Sequence, residues 1–361
     1  MPQMSACLVA AKRFAAATRN LAIVALACLV LFAAITAQAQ VTSGGTQSNL
    51  TGPPWNGPVG VASDSSGNIY IGEYTAAKVI LVNPTTHATS TYISGVMACP
   101  NSTNITLGHP QFLTMDSSNN LYIANQGSSQ IVKWSTTTNT CVAYYNPGVS
   151  AFGVTLDASG NLWYAGGSTV GKIAAGATSG TVGTPVITGF SSAYGMAFAP
   201  ATTGGFNQND LIVTDYGANK IYRFPYSATT PNYPTTASSG TLFLSTTNPF
   251  GLMFDSSNNL IFSSTGNNDV VKFLASNNYS TSAYVTLLPY ALGAEGIGFD
   301  PSGNIFLTAF GGSTVTELCV ASSCVSPTVA QGSASSTISV VLNIPAGTTV
   351  NSLNQLDQGV S

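Results

Sequence analysis

The sequence predicts an all-β protein, a six-bladed β-propeller of four-stranded antiparallel blades, and three observations carry that prediction. The turn Asp-x-Ser-(Gly or Asn)-Asn recurs at Asp64, Asp116, Asp157, Asp255 and Asp300, and a degenerate copy, Gly195 to Pro200, makes six. Taking Ala199 as the anchor of that copy, the anchors are separated by 52, 41, 42, 56 and 45 residues, periods that belong to propellers and solenoids rather than to the far shorter repeats of a β-helix. Around every anchor the same short β-patterned runs reappear, and no stretch after the first forty residues carries a helical period of useful length.

The elements follow in order. Residues 1–39 read as an export signal: Lys12, Arg13 and Arg19, then an apolar run from Leu21 to Ile35, then Ala37-Gln38-Ala39 as a small-residue cleavage site. An uncleaved membrane anchor is the alternative, because the run lies near the lower limit of a span. Residues 40–56 are Gly-, Ser- and Thr-rich and read as a linker or as a closing strand lent to the last blade. The propeller itself is placed at 57–324. Each unit opens with a strand apolar on both sides, such as Gly153-Val154-Thr155-Leu156, as an inner strand should be. The turn supplies Gly or Asn where positive φ is needed. A second, aromatic and β-branched strand follows, as in Leu121-Tyr122-Ile123-Ala124, then a third alternating strand such as Gln130 to Trp134, then a variable fourth such as Cys141 to Tyr145. The fourth unit carries an insertion, Ala201 to Asp210, expected on the face opposite the ligand mouth. Residues 325–361 hold one convincing strand, Ser335 to Leu342, which either closes the ring or opens a β-sandwich that this chain does not complete.

Charge narrows the partners. Removing the signal takes three of nine basic residues and leaves six against twelve acidic ones, a net charge of −6. Phosphate recognition needs clustered Lys and Arg, so nucleic acid is excluded as a partner; once the signal is cleaved, no membrane segment is expected. The six remaining cations, Lys78, Lys133, Lys172, Lys220, Arg223 and Lys272, each fall on the third strand of a unit and are spread around the body. The four remaining cysteines are even in number, which in an exported chain favours disulfides. Cys319 and Cys324 face each other across a short loop, and Cys99 with Cys141 follows by elimination.

The strings Pro58 to Ile71 and Asp215 to Phe224 resemble NHL repeats, the second matching the Asp-x-Gly-x-Asn-x-Ile stretch of that family. The resemblance runs repeat by repeat over residues 57 to 320. It implies a six-bladed propeller, and it is poor for activity, since the superfamily holds protein-binding scaffolds as well as enzymes such as peptidyl-amidating lyases. Ile71-Gly72-Glu73-Tyr74 and Asn161-Leu162-Trp163-Tyr164 also resemble the repeats of streptogramin lyases.

In a propeller the loop entering the first strand and the loop leaving the second open on one face around the central channel, so two rings are expected there. The residue before the first-strand Gly position gives Val59, Gln111, Phe152, Tyr194, Phe250 and Glu295; the residue ending the second strand gives Glu73, Asn125, Gly166, Asp215, Ser264 and Ala309. An aromatic, concave mouth with a few convergent polar groups is the default binding site, here for an unidentified protein, glycan or small molecule. The competing reading is that Phe152, Tyr194 and Phe250 plug the channel. Glu73, Asp215 and Glu295 are the candidate ligands for Ca²⁺ or Mg²⁺, with Asn125 beside them, against the reading that such groups bond loop backbone. Glu73 and His109 are the candidate catalytic residues.

Streptogramin-lyase chemistry, as the resemblance implies it, uses histidines with a carboxylate near a divalent metal, whereas this chain has only His87 and His109. A gluconolactonase-type site is matched only by Glu295-Gly296, and an amidating lyase's His-rich metal site cannot be built from two histidines. No Gly-x-Ser-x-Gly elbow is present. The expectation is therefore an exported, non-catalytic scaffold that binds at its mouth, with a metal-assisted lyase or hydrolase at the same mouth as the alternative. N-terminal sequencing of the exported protein is expected to begin at Gln40; a chain that keeps its first forty residues contradicts the signal assignment.

Overall fold

A computed structural model describes residues 46–50, 54–101, 104–229, 231–289 and 293–319. The export signal, the strand expected at 335–342 and Cys324 lie outside the described residues. The described chain forms six four-stranded antiparallel sheets. Blade 1 runs Pro58–Ser63, Ile69–Glu73, Lys78–Val82 and Thr89–Ser94. Blade 2 is Pro110–Met115, Asn120–Asn125, Gln130–Ser135 and Thr140–Asn146, with Thr181–Val182 added in parallel at its edge. Blade 3 is Gly153–Leu156, Leu162–Gly166, Thr169–Ile173 and Thr184–Thr188. Blade 4 is Ala193–Phe198, Leu211–Asp215, Lys220–Phe224 and Thr241–Ser245; blade 5 is Pro249–Phe254, Leu260–Ser264, Asp269–Phe273 and Val285–Pro289. Blade 6 is Ala294–Phe299, Ile305–Ala309 and Thr314–Cys319, and its outer strand is Thr46–Asn49, from the other end of the chain. That pairing ties the first described strand to the last, so opening the ring means breaking a ladder.

The core is divided among the blade interfaces. Six apolar clusters are buried, one between each pair of neighbours; Tyr70, Val79 and Ile93 of blade 1 meet Leu113, Leu121 and Ile123 of blade 2. Ile69, Ile71 and Val82 meet Phe306 and Val315 where blade 6 returns to blade 1. Burial on both faces is why the inner strands read as continuous apolar runs.

The repeated Asp is turn chemistry. Asp64 Oδ1 accepts the amides of Ser66 and Asn68, while Oδ2 accepts the Asn68 side-chain amide and the Tyr70 hydroxyl. Asp157 repeats the pattern, with the Trp163 indole N–H at 2.8 Å in place of the phenol. The third-strand cations now have a role, since Lys133 pairs with Asp116 at 3.3 Å and Lys272 with Asp255 at 2.7 Å. In blade 4 the turn is replaced by the insertion, and Asp210 takes over, fully buried and paired with Arg223. The insertion sits at this turn end and buries Phe206 against Phe243 and Tyr279.

At the centre, the residue after the mouth position is glycine in five blades because no side chain fits. A Cβ on Gly60, Gly153, Gly195, Gly251 or Gly296 would lie 1.7 to 2.3 Å from the carbonyl oxygen of the mouth residue in the next blade. Three of these junctions carry a hydroxyl bridge. Thr214 Oγ1 accepts the Gly195 amide at 2.7 Å and donates to the Phe250 carbonyl at 2.8 Å. Ser263 likewise links Gly251 to Glu295, and Thr308 links Gly296 to Val59. Cys99 and Cys141 form a disulfide that ties the connection between blades 1 and 2 to the outer strand of blade 2, across a separation of 42 residues. Cys319 is also disulfide-bonded.

Thr214→Val keeps the shape of the side chain and leaves a buried N–H and C=O without their partner. The expected loss is about 1–3 kcal/mol in denaturant unfolding, and an unchanged midpoint contradicts the bridging role.

Candidate functional site

The mouth is set by a kink repeated in the inner strands. In blades 1, 2, 4, 5 and 6 the pairing of first and second strands slips at the mouth residue, between Pro58 and Val61, Pro110 and Leu113, Ala193 and Met196, Pro249 and Leu252, and Ala294 and Ile297. Bulges re-aim a side chain by leaving one residue out of the ladder. Here they turn Val59, Gln111, Tyr194, Phe250 and Glu295 into one cavity of about 250 Å³, which Tyr74, Tyr216 and Phe310 complete.

Those three aromatics correct the second ring expected from the sequence. They stand one residue beyond the second-strand ends, after Glu73, Asp215 and Ala309. Successive side chains of a strand point to opposite faces, so a slip of one residue exchanges the whole set. Glu73 is turned from the mouth and its Oε1 accepts the Asn56 amide at 2.9 Å. Asn125 accepts the Gly108 amide and donates to the Thr106 carbonyl and Ser128 hydroxyl. Asp215 accepts the amides of Ser191, Ser192 and Ala218. Ser264 donates to the Thr247 carbonyl. These polar groups, 0 to 4% exposed, staple the loop that enters each blade. The next residue adds a backbone bond to the same loop: the amides of Tyr74, Tyr216 and Phe310 donate to Gly57, Ser192 and Gly293. Aromatic residues at positions 74, 216 and 310 were the signal available in the sequence.

His109 lies on the rim. Its backbone takes the left-handed conformation with φ 53°, and its exposed ring stacks on Tyr74 with centroids 4.4 Å apart. Phe152 does not line the cavity; it stacks behind Tyr194 at 4.4 Å, and Tyr194 in turn meets Tyr216 at 5.1 Å and Phe250 at 4.6 Å. A further aromatic stands outside both expected rings. Phe112 occupies the position that is glycine in the other blades, its amide donates to the Phe152 carbonyl, and its ring stacks on Phe250 at 5.4 Å. Below that pair lies a second cavity of about 210 Å³ lined by inner-strand residues including Phe112, Met115, Met196 and Met253. Tyr194 and Phe250 thus wall the mouth cavity, and Phe112 lines the inner one.

Two polar side chains besides the tyrosines line this cavity, Gln111 and Glu295. Gln111 Oε1 is buried with no hydrogen bond, its amide nitrogen reaching Gln126 at 3.4 Å. Glu295 forms no hydrogen bond or ion pair through its carboxyl among the described residues, and burial pushes its pKa up to about 8. Desolvation disfavours the charged form, and no cation lines the cavity to offset it. The Tyr194 phenol is pushed up to about 12, by burial first and then by Tyr216, Glu295 and Tyr74.

The donor set does not fit a divalent ion. Ca²⁺ takes about 6–8 oxygen ligands, and among the described residues no group of three His, Cys, Asp or Glu is placed to hold a metal. Glu73 and Asp215 are committed to loop amides, which leaves Glu295 alone of the three candidate ligands.

No protein-family profile matches the chain, and no curated protein matches it in sequence. Solved structures of similar fold include virginiamycin B lyase from Staphylococcus aureus, 17% identical over 76% of this chain and 98% of that one, with a TM-score of 0.50. Regucalcin, a calcium-binding protein from Agrobacterium tumefaciens, is 15% identical over 74% and 95%, with a TM-score of 0.52. A structure of a nidogen/laminin complex is 14% identical over 67% and 84%, with a TM-score of 0.51. At these identities the likeness establishes the propeller fold.

Glu295 makes stability depend on pH in a stated direction. Its folded pKa is raised, so the fold holds a proton that the unfolded chain releases near pH 4.5, and stability falls as pH rises from there through about 8. The groups facing it are the phenols of Tyr74, Tyr194 and Tyr216, with His109 stacked outside Tyr74. Glu295→Gln is expected to raise the melting temperature by several degrees at pH 9 and to leave it nearly unchanged at pH 5. Equal shifts at both values contradict a desolvated carboxyl.

Proposed function

We propose that this chain is an exported propeller that binds a ligand or protein partner at its mouth and performs no chemistry there. The observation that carries the reading is the cavity itself: five aromatic rings, one side-chain amide and one carboxyl, the carboxyl without a partner among the described residues. Binding sites are concave, mostly apolar and furnished with a few placed polar groups. Catalysis at such a site asks for an acid and base, or a metal, within hydrogen-bond reach of one another. Here the acid–base set is Glu295 with tyrosine hydroxyls, and the rim histidine stacks on a ring. The export signal supports placing the protein outside the cytoplasm, in the secreted or cell-envelope space. The solved relatives of this fold include a lyase, a calcium-binding protein and a member of a protein complex, so the fold leaves the choice to the mouth.

The alternative, a metal-assisted lyase or hydrolase, assigns Glu295 the proton transfer, and the two readings separate in one set of measurements. A fragment screen by NMR is expected to give saturable binding with shifts confined to Tyr74, Tyr194, Tyr216 and Phe310, lost in Tyr216→Ala. Divalent-metal-dependent turnover of lactones or streptogramin-type depsipeptides that disappears in Glu295→Gln overturns the scaffold reading.

A further inference from the structure

We propose that the mouth takes a small organic ammonium ion, held by the aromatic walls and Glu295. The proposal deepens the scaffold reading and rests on it.

Three properties of the cavity single out this ligand class. The first is its walls. Tyr194, Tyr216 and Phe250 pack together on one side with centroid separations of 4.6 to 6.0 Å, and Tyr74 with Phe310, centroids 5.9 Å apart, complete the lining. Clustered ring faces attract a cation through their quadrupoles, and desolvated sites contribute about 2 kcal/mol or more. A neutral apolar ligand gains from the same walls only through burial.

The second property is the sign of the polar groups. Apart from the tyrosine hydroxyls, the polar side chains that line the cavity are Gln111 and Glu295, and the Glu295 carboxyl has no hydrogen-bond or ion-pair partner among the described residues. Among the described residues, lysine, arginine and histidine are missing from the lining. An anionic ligand would therefore meet a carboxylate and π faces with no counter-charge. A neutral ligand would leave Glu295 protonated and gain nothing from its charge. An ammonium ion supplies the counter-charge that the ionised carboxylate lacks.

The third property is size. About 250 Å³ lies just below the roughly 300–1,000 Å³ of pockets for drug-sized ligands. The cavity accommodates a head group, whereas a macrocycle would have to rest outside it. The protein's net charge of −6 after signal removal draws cations toward its surface.

Titration calorimetry with choline and with its uncharged carbon isostere, 3,3-dimethyl-1-butanol, tests the proposal on the purified mature chain at pH 9, where Glu295 is ionised. Choline is expected to bind saturably and the isostere roughly tenfold more weakly or worse. Glu295→Gln, checked for folding by circular dichroism, is expected to weaken choline roughly tenfold and leave the isostere unchanged, and Tyr216→Ala to weaken both. From pH 9 to pH 6 choline affinity is expected to fall as Glu295 takes up a proton; Glu295→Gln removes that dependence. Equal binding of the two molecules, insensitive to Glu295→Gln, overturns the cation proposal and leaves the mouth-binding reading standing. Absence of choline binding up to millimolar concentrations also overturns it, and the fragment screen then decides separately whether the mouth binds anything.

Discussion

The ring depends on a close approach between neighbouring inner strands, at which there is no room for a Cβ. Five glycines meet the carbonyl oxygen of the next blade's mouth residue, Gly60 with Gln111, Gly153 with Tyr194, Gly195 with Phe250, Gly251 with Glu295 and Gly296 with Val59. The same peptide that closes the ring thus carries the side chain that forms the mouth. Fixing those carbonyls, with hydroxyl bridges at Thr214, Ser263 and Thr308 on half of the circle, holds the mouth side chains on rigid elements. Phe112 shows what happens where glycine is replaced: its amide meets the carbonyl instead, and its ring stacks on Phe250 and lines the inner cavity.

The two ends of the blades divide the work. At the turn end, Asp64, Asp116 and Asp157 spend their carboxylates on local amides and on a nearby tyrosine or tryptophan, and Lys133 and Lys272 balance Asp116 and Asp255. At the mouth end, Glu73, Asn125 and Asp215 do equivalent work on the loops. Glu295 is a carboxyl with neither role. It is held in apolar surroundings with nothing to neutralise it, which is the arrangement expected where a protein stores unfavourable electrostatics for a ligand to relieve.

Much of this was legible in the sequence, because repetition exposes what the architecture requires. The Asp turns, the six units, the strand order and the first mouth ring except Phe152 follow from aligning the copies at the glycine position. The second ring went astray by one residue, since alternation makes neighbouring positions in a strand opposites, and Glu73 and Asp215 looked like chemistry while Tyr74 and Tyr216 looked like spacing. Phe112 and the hydroxyl bridges were hidden for a different reason. They occur in one copy and in three, so alignment treats them as variation. The lone state of Glu295 depends on which side chains surround it in space, and no spacing rule reports that.

The central claim is that Glu295 stands desolvated and unpaired in an aromatic mouth. A ¹³C NMR titration of its side-chain carboxyl tests this most directly. The account predicts a midpoint near pH 8; a midpoint near 4.5, the ordinary glutamate range, would show a solvated or paired carboxyl and contradict it.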